Sequence, residues 1–135
     1  MIEEDYVSVE VAKLLKEKGF DETTLGYYLY DEDELYFDRF SDDWNSNHVG
    51  YISAPTLQRA RKWLREKHHL HIETRITNHS MSDMVNIIKY YWVMTNTETG
   101  RWCDESTVYD IKPFDKSEEA EEDAIRIALK NWIKI

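Results

Sequence analysis

Apolar positions recur along this chain at two periods, and the changes between them mark out its elements. In residues 8–19, Val9, Ala12 and Leu15, with Val11 and Leu14 beside them, return every three or four positions. Lys13, Glu17 and Lys18 fall elsewhere, which predicts an amphipathic helix. Ser8 suits its N-cap, because a hydroxyl there accepts from a free amide of the first turn. Gly19 stands where a left-handed residue closes a helix, and Phe20 is placed to fold back on the last turn. Segments 25–30 and 35–40 are rich in Tyr, Phe and Leu and flank Asp31-Glu32-Asp33-Glu34, predicting a β-hairpin with an acidic tip. Residues 41–50, with Asp42, Asp43, Asn45, Ser46 and Asn47, predict a polar loop.

Pro55 is expected to open a second helix, since proline fits a first helical position that needs no amide partner. Its inward stripe is Leu57, Ala60, Trp63 and Leu64, and His68-His69 ends it. The period then drops to two. Leu70, Ile72, Thr74 and Ile76 take one face of a strand over 70–77, with His71, Glu73 and Arg75 on the other. Residues 87–95 are apolar or aromatic on both faces, which predicts a strand covered on both sides, the second cover being the N-terminal hairpin or another subunit. Thr97-Glu98-Thr99-Gly100 reads as a tight turn, so a third strand over 101–109 must lie antiparallel to it. A last helix over 117–133 buries Ala120, Ala124, Ile125, Ala128, Leu129 and Trp132 and turns Glu121 to solvent. Asp115 with Glu118 forms a candidate capping box, and Ser117 is the competing N-cap. The order is α-β-β-α-β-β-β-α: an α+β chain whose antiparallel sheet, a three-strand meander plus the N-terminal hairpin, packs against helices. One domain is expected over 1–135, with an acidic helix-hairpin part at 1–50 and an α-β-β-β-α part at 51–135.

Charge sharpens that division. Residues 1–50 hold 4 Lys/Arg against 14 Asp/Glu, and the rest of the chain holds 13 of each, so the first part carries the whole net charge of −10. Such a balance repels nucleic acid and anionic membrane unless a local basic face overcomes it. Five Trp and nine Tyr are too many for a disordered chain. No apolar run approaches the length of a membrane span. The start, Met1-Ile2-Glu3-Glu4-Asp5, lacks the features of a signal peptide. One cysteine, Cys103, excludes an internal disulfide framework. A cytoplasmic location without membrane attachment is the expectation.

Three stretches together carry a resemblance. They are Val7-Ser8-Val9-Glu10-Val11-Ala12-Lys13-Leu14-Leu15 running on to Phe20, then Ala54-Pro55-Thr56-Leu57-Gln58-Arg59-Ala60-Arg61-Lys62-Trp63-Leu64, and Phe114-Asp115-Lys116-Ser117-Glu118-Glu119-Ala120. The pattern resembles a family of small uncharacterised proteins from phage, prophage and mobile-element regions of gut bacteria of the Bacteroides group. Its matching residues are helix caps and apolar faces. The resemblance implies a phage-related setting and no catalytic residue. From residue 55 on, the element order also resembles that of a double-stranded-RNA-binding domain. Such domains grip the backbone with basic residues at the start of the last helix. Here that position reads Ser117-Glu118-Glu119-Ala120-Glu121-Glu122, the opposite charge, which argues against RNA binding.

Two charged segments are candidate partner surfaces. Arg59, Arg61, Lys62, Arg65 and Lys67 put five positive charges on the helix over 55–67 against Glu66 alone. They suit an acidic partner or phosphate, although a solvated face paired with the acidic first part is the commoner outcome. Asp31, Glu32, Asp33 and Glu34 lack the spacing and glycine of a calcium loop, so a solvated turn is expected, or else a mimic of phosphate toward a nucleic-acid-binding protein. His69 and His71 would share a strand face near His68 and His79, but cysteines or an i, i+4 histidine pair are missing, so no metal and no cofactor are expected. Tyr27, Tyr28, Tyr30, Tyr36, Tyr90, Tyr91, Trp92 and Trp102 are expected mainly in the core and in cross-strand pairs. Cys103 has Asp104 and Glu105 as neighbours, which disfavour its thiolate, and there is no phosphate loop, nucleophile elbow or paired-carboxylate motif. The sequence therefore favours a protein-interaction module without catalysis, its partner another protein or a second copy. Nucleic-acid binding through the 55–67 helix is the alternative.

Overall fold

The computed structural model describes residues 4–81, 85–109 and 113–133. The side chains of His79 and Ile87 lie outside what it describes. The chain is α+β, as the pattern predicts, and its described residues form two three-stranded antiparallel sheets and four α-helices. The first sheet is ordered β2-β1-β3, from β1 (Thr24–Leu29), β2 (Leu35–Asp42) and β3 (Tyr51–Ala54). The second is β4-β5-β6, from β4 (Leu70–Met81), β5 (Val85–Asn96) and β6 (Arg101–Glu105). The N-terminal hairpin therefore does not join the meander. It recruits β3, which pairs along β1 from Gly26↔Ala54 to Leu29↔Tyr51, so residues 51–54 belong with the first sheet. The expected polar loop also holds structure: its start completes β2, and a one-turn helix α2 (Trp44–Asn47) is capped by Asp43, whose carboxylate accepts from the Ser46 amide at 3.1 Å.

Local rules hold at the first helix, α1 (Val9–Glu17). The Ser8 hydroxyl accepts from the Val11 amide at 3.3 Å. Gly19 takes φ +91°, its amide donates to Lys16, and the Phe20 amide donates to Leu15, closing the helix in the Schellman manner. Helix α3 (Leu57–His68) begins two residues later than Pro55 suggests. Thr56 is the N-cap, its hydroxyl accepting from the Arg59 amide at 3.1 Å, because the Pro55 carbonyl is held by the Val7 amide instead. His69 ends α3 in the left-handed region, φ 57°.

Helix α4 (Ser117–Ile127) starts at Lys116 with no side-chain cap. Both expected caps are engaged elsewhere: Asp115 pairs with Lys89, and the Ser117 hydroxyl meets that of Thr74 on β4 at 2.9 Å. Ala120, Ala124, Ile125, Ala128 and Leu129 are fully buried, as the stripe predicts. Trp132 is not; it is 43% exposed, because the helix widens into a π-type turn over Ala128–Trp132 and rotates its end off the stripe. Glu121 corrects the expected solvent face in the other direction. It is half-buried against Arg61 of α3.

One apolar cluster runs through both sheets. It joins Val7, Val11 and Leu15 of the N-terminal region to Ile52 of β3, Leu57 and Leu64 of α3, Ile72, Trp92 and Met94 of the second sheet, and Ala124 and Leu129. The long β4–β5 ribbon outruns this cover, leaving Ile76 63% and Ile88 55% exposed. On the opposite face of β5, Val93 is fully buried. The Arg75 guanidinium of β4 lies 4.7 Å from the ring of Trp102 on β6, a contact that spans β5 between them. The strand expected over 101–109 stops at Glu105 and passes into a 3-10 turn, Ser106–Tyr109.

Candidate interaction site on helix α3

Helix α3 buries Leu57, Ala60, Trp63 and Leu64 and, at 3.6 residues per turn, must turn the positions between them outward. Gln58, Arg59, Lys62, Arg65, Glu66 and Lys67 are exposed accordingly. The five cations do not share one fate. Arg61 leans onto α4 and meets the Glu121 carboxylate at 3.4 Å, with only 29% and 16% of the two side chains exposed. Among the described residues, the buried Arg61 Nε has no hydrogen-bond partner. Burial pushes the Glu121 carboxyl above its ordinary value, and the Arg61 charge only partly offsets this. The expected pairing with the acidic first fifty residues is not what Arg61 finds; its acid comes from the last helix. Among the described residues, Arg59, Lys62, Arg65 and Lys67 make no ion pair.

Three of these free cations edge a cleft of about 370 Å³, lined by Arg59, Lys62 and Lys67 together with Glu22, Glu66 and Trp63. Trp63 is held from within the core, its ring edge-on to Phe20 at 5.4 Å and to His68 at 4.7 Å. Burial against this cluster lowers the His68 pKa, and the neighbouring His69 adds to the effect. A second cleft of about 380 Å³ continues past the N-cap, sharing Thr56 and Arg59 with the first and reaching Tyr6, Thr24 and Leu25. Arg59 thus stands where two grooves meet. Helix propensity and capping fix the backbone beneath it, so the cations are presented from a rigid element.

The acidic tip is placed as the sequence indicates. Asp31, Glu32, Asp33 and Glu34 are all exposed between β1 and β2. The Tyr36 hydroxyl donates to Glu32 at 2.8 Å and sits 3.2 Å from Glu34, and these bonds push its pKa up to about 12. Among the described residues the tip and the α3 cations form no ion pair with each other.

Behind the tip, the outer face of the first sheet carries an aromatic cluster that the sequence showed only in part. Tyr27 stacks across the strands on Tyr36 at 5.7 Å, and Trp44, His48 and Tyr51 close over it, with Trp44 and Tyr51 parallel at 5.6 Å. Trp44 was a lone apolar residue among Asp and Asn, and that isolation was its one signal. Its indole nitrogen donates to the Thr24 carbonyl at 2.8 Å, and it is buried. His48 meets Asp42 at 2.8 Å, and that bond with one from Asn47 holds the Asp42 carboxyl below its usual range. Tyr28 and Trp92 lie in the core as expected.

The remaining candidates separate. His69 belongs to the helix cap and pairs with Glu98 at 3.1 Å, so it does not share a strand face with His71. Among the described residues no three His, Cys, Asp or Glu side chains converge as a cation cage. Burial, and then Asp104, pushes the Cys103 thiol up, so its nucleophilic form is disfavoured. No helix among the described residues is long and apolar enough to cross a membrane. No protein-family model, curated protein or solved structure matches this chain.

Proposed function

We propose that the protein is a protein-interaction module whose helix α3 docks an acidic polypeptide segment. The observation that carries this reading is the set of unmatched cations, Arg59, Lys62, Arg65 and Lys67, on one rigid helix of a chain whose net charge is −10. Neighbouring cations on one helix face repel one another locally, and an acidic partner relieves that repulsion. The cleft's mixed lining distinguishes between partners. Glu22 and Glu66 stand among the cations. A phosphate backbone presents negative charge alone and would meet both carboxylates unfavourably. A polypeptide can set a Lys or Arg against each of them. Nucleic acid also meets the acidic remainder of the molecule. The resemblance to phage- and mobile-element-associated proteins adds a setting to this reading and no chemistry.

The test is fluorescence anisotropy at about 150 mM salt, comparing a short labelled peptide of Glu with interspersed Lys against a labelled duplex oligonucleotide. The peptide should bind, the duplex should not, and Arg59→Glu with Lys62→Glu should weaken the peptide about tenfold or more. Tight duplex binding that the same double variant abolishes would replace the protein partner by nucleic acid.

A further inference from the structure

Two charged clusters are left unmatched within the chain among the described residues: the α3 cations and the Asp31–Glu34 carboxylates. They sit at opposite ends of β1. The strand starts at Thr24, which lines the groove that continues the α3 cleft, and Glu22 just before it lines the cleft itself. After Leu29 the chain turns into the tip. Six residues at roughly 3.3 Å each set the two ends about 20 Å apart. β1 is paired on both sides, by β2 and β3, so it is a stiff spacer. The tip therefore cannot fold back onto the cleft of its own molecule.

The two clusters also match in kind. The tip is held in shape by the Glu32 amide donating to Leu29 at 3.0 Å and by the Tyr36 hydroxyl on Glu32 and Glu34. Among the described residues its four carboxylates make no ion pair, yet two cations stand at its margin. The Lys13 and Lys16 ammonium groups lie 5.8 Å and 5.9 Å from the ring of Tyr30, the residue before Asp31. An acidic tip with lysines at its edge is the counterpart of a basic cleft that contains Glu22 and Glu66.

Resting on the docking reading above, we propose that the acidic segment received by α3 is the Asp31–Glu34 tip of a second copy of this chain. The contact joins two different surfaces, so it is head-to-tail: each molecule offers a tip to one neighbour and a cleft to another. Such contacts propagate into rings or open chains and do not stop at a two-fold dimer. At physiological ionic strength, repulsion between two molecules of charge −10 is screened beyond about 8 Å, while the facing clusters act at contact distance.

Sedimentation equilibrium of the full chain tests this with two variants. Asp31→Lys with Asp33→Lys brings the tip's charge from −4 to zero and leaves the cleft intact. Arg59→Glu with Lys62→Glu spoils the cleft and leaves the tip intact. At about 150 mM salt the wild-type mass should rise with concentration to at least double the 16.2 kDa monomer, and return to the monomer at about 1 M salt. Each variant alone should stay monomeric. Their equimolar mixture has one good tip and one good cleft, so it should reach at least the mass of a heterodimer. A wild-type chain that remains monomeric, or a mixture no heavier than its parts, would overturn the head-to-tail contact. If the acidic peptide still binds α3 in that case, the docking reading survives without self-association; if neither binds, both fall.

Discussion

Arg61 shows how far a single residue can be read from its neighbours in sequence. Its charge and its helix were plain, but its partner was not. The acid it finds, Glu121, lies on α4, and nothing in a local pattern says which helix α3 will touch. Residues whose roles are settled within a turn were legible: Ser8 as cap and Gly19 as terminator follow from backbone geometry alone. The Arg61–Glu121 contact gives the sharpest residue-scale prediction. Glu121→Leu should destabilise the protein by about 1–3 kcal/mol, because it leaves a half-buried guanidinium without its acid. Arg61→Met combined with Glu121→Leu should recover most of that loss, since two apolar side chains can replace a poorly solvated pair. Urea melts of the single and double variants decide it. A silent Glu121→Leu would show that the contact contributes nothing.

At the scale of elements, long periodic segments declared themselves and short ones did not. The helices α1 and α3 and the β4–β5 ribbon carry enough residues for their period to show. β3 spans only Tyr51–Ala54, too short for an alternation, and it is fixed by pairing with β1 from a distance in sequence. The same pairing explains Gly26. A Cβ built there would meet the Ala54 carbonyl oxygen at 2.9 Å, so β1 and β3 close as tightly as they do because this position has no side chain. Gly26→Ala should cost about 1–3 kcal/mol. Ala128→Leu, in the fully buried row where the last helix packs on the core, should cost a similar amount by overpacking. Gly100→Ala is the contrast within the same molecule: its Cβ would meet nothing within 4 Å, so its cost comes only from its φ of +71°. Thermal melts that rank Gly26→Ala as harmless would mean that the first sheet is not paired as described.

For the whole molecule, the sequence revealed the imbalance of charge but not its arrangement. A count places all of the net −10 in residues 1–50, and it suggests that the basic helix is neutralised there. The fold does otherwise. It sets one cation against Glu121, lets Lys130 approach Glu10 at 3.5 Å, and leaves four cations of α3 facing solvent, three of them beside a cleft. That distribution depends on which elements adjoin, which the composition does not encode. Titration of the ¹⁵N-labelled chain with the Glu-Lys peptide, followed by amide chemical shifts at about 150 mM salt, is the most direct test of α3 as the docking element. Saturable shifts should concentrate in residues 56–67 and at Glu22. Shifts confined to the aromatic face around Tyr27 and Trp44, or none that saturate, would contradict it.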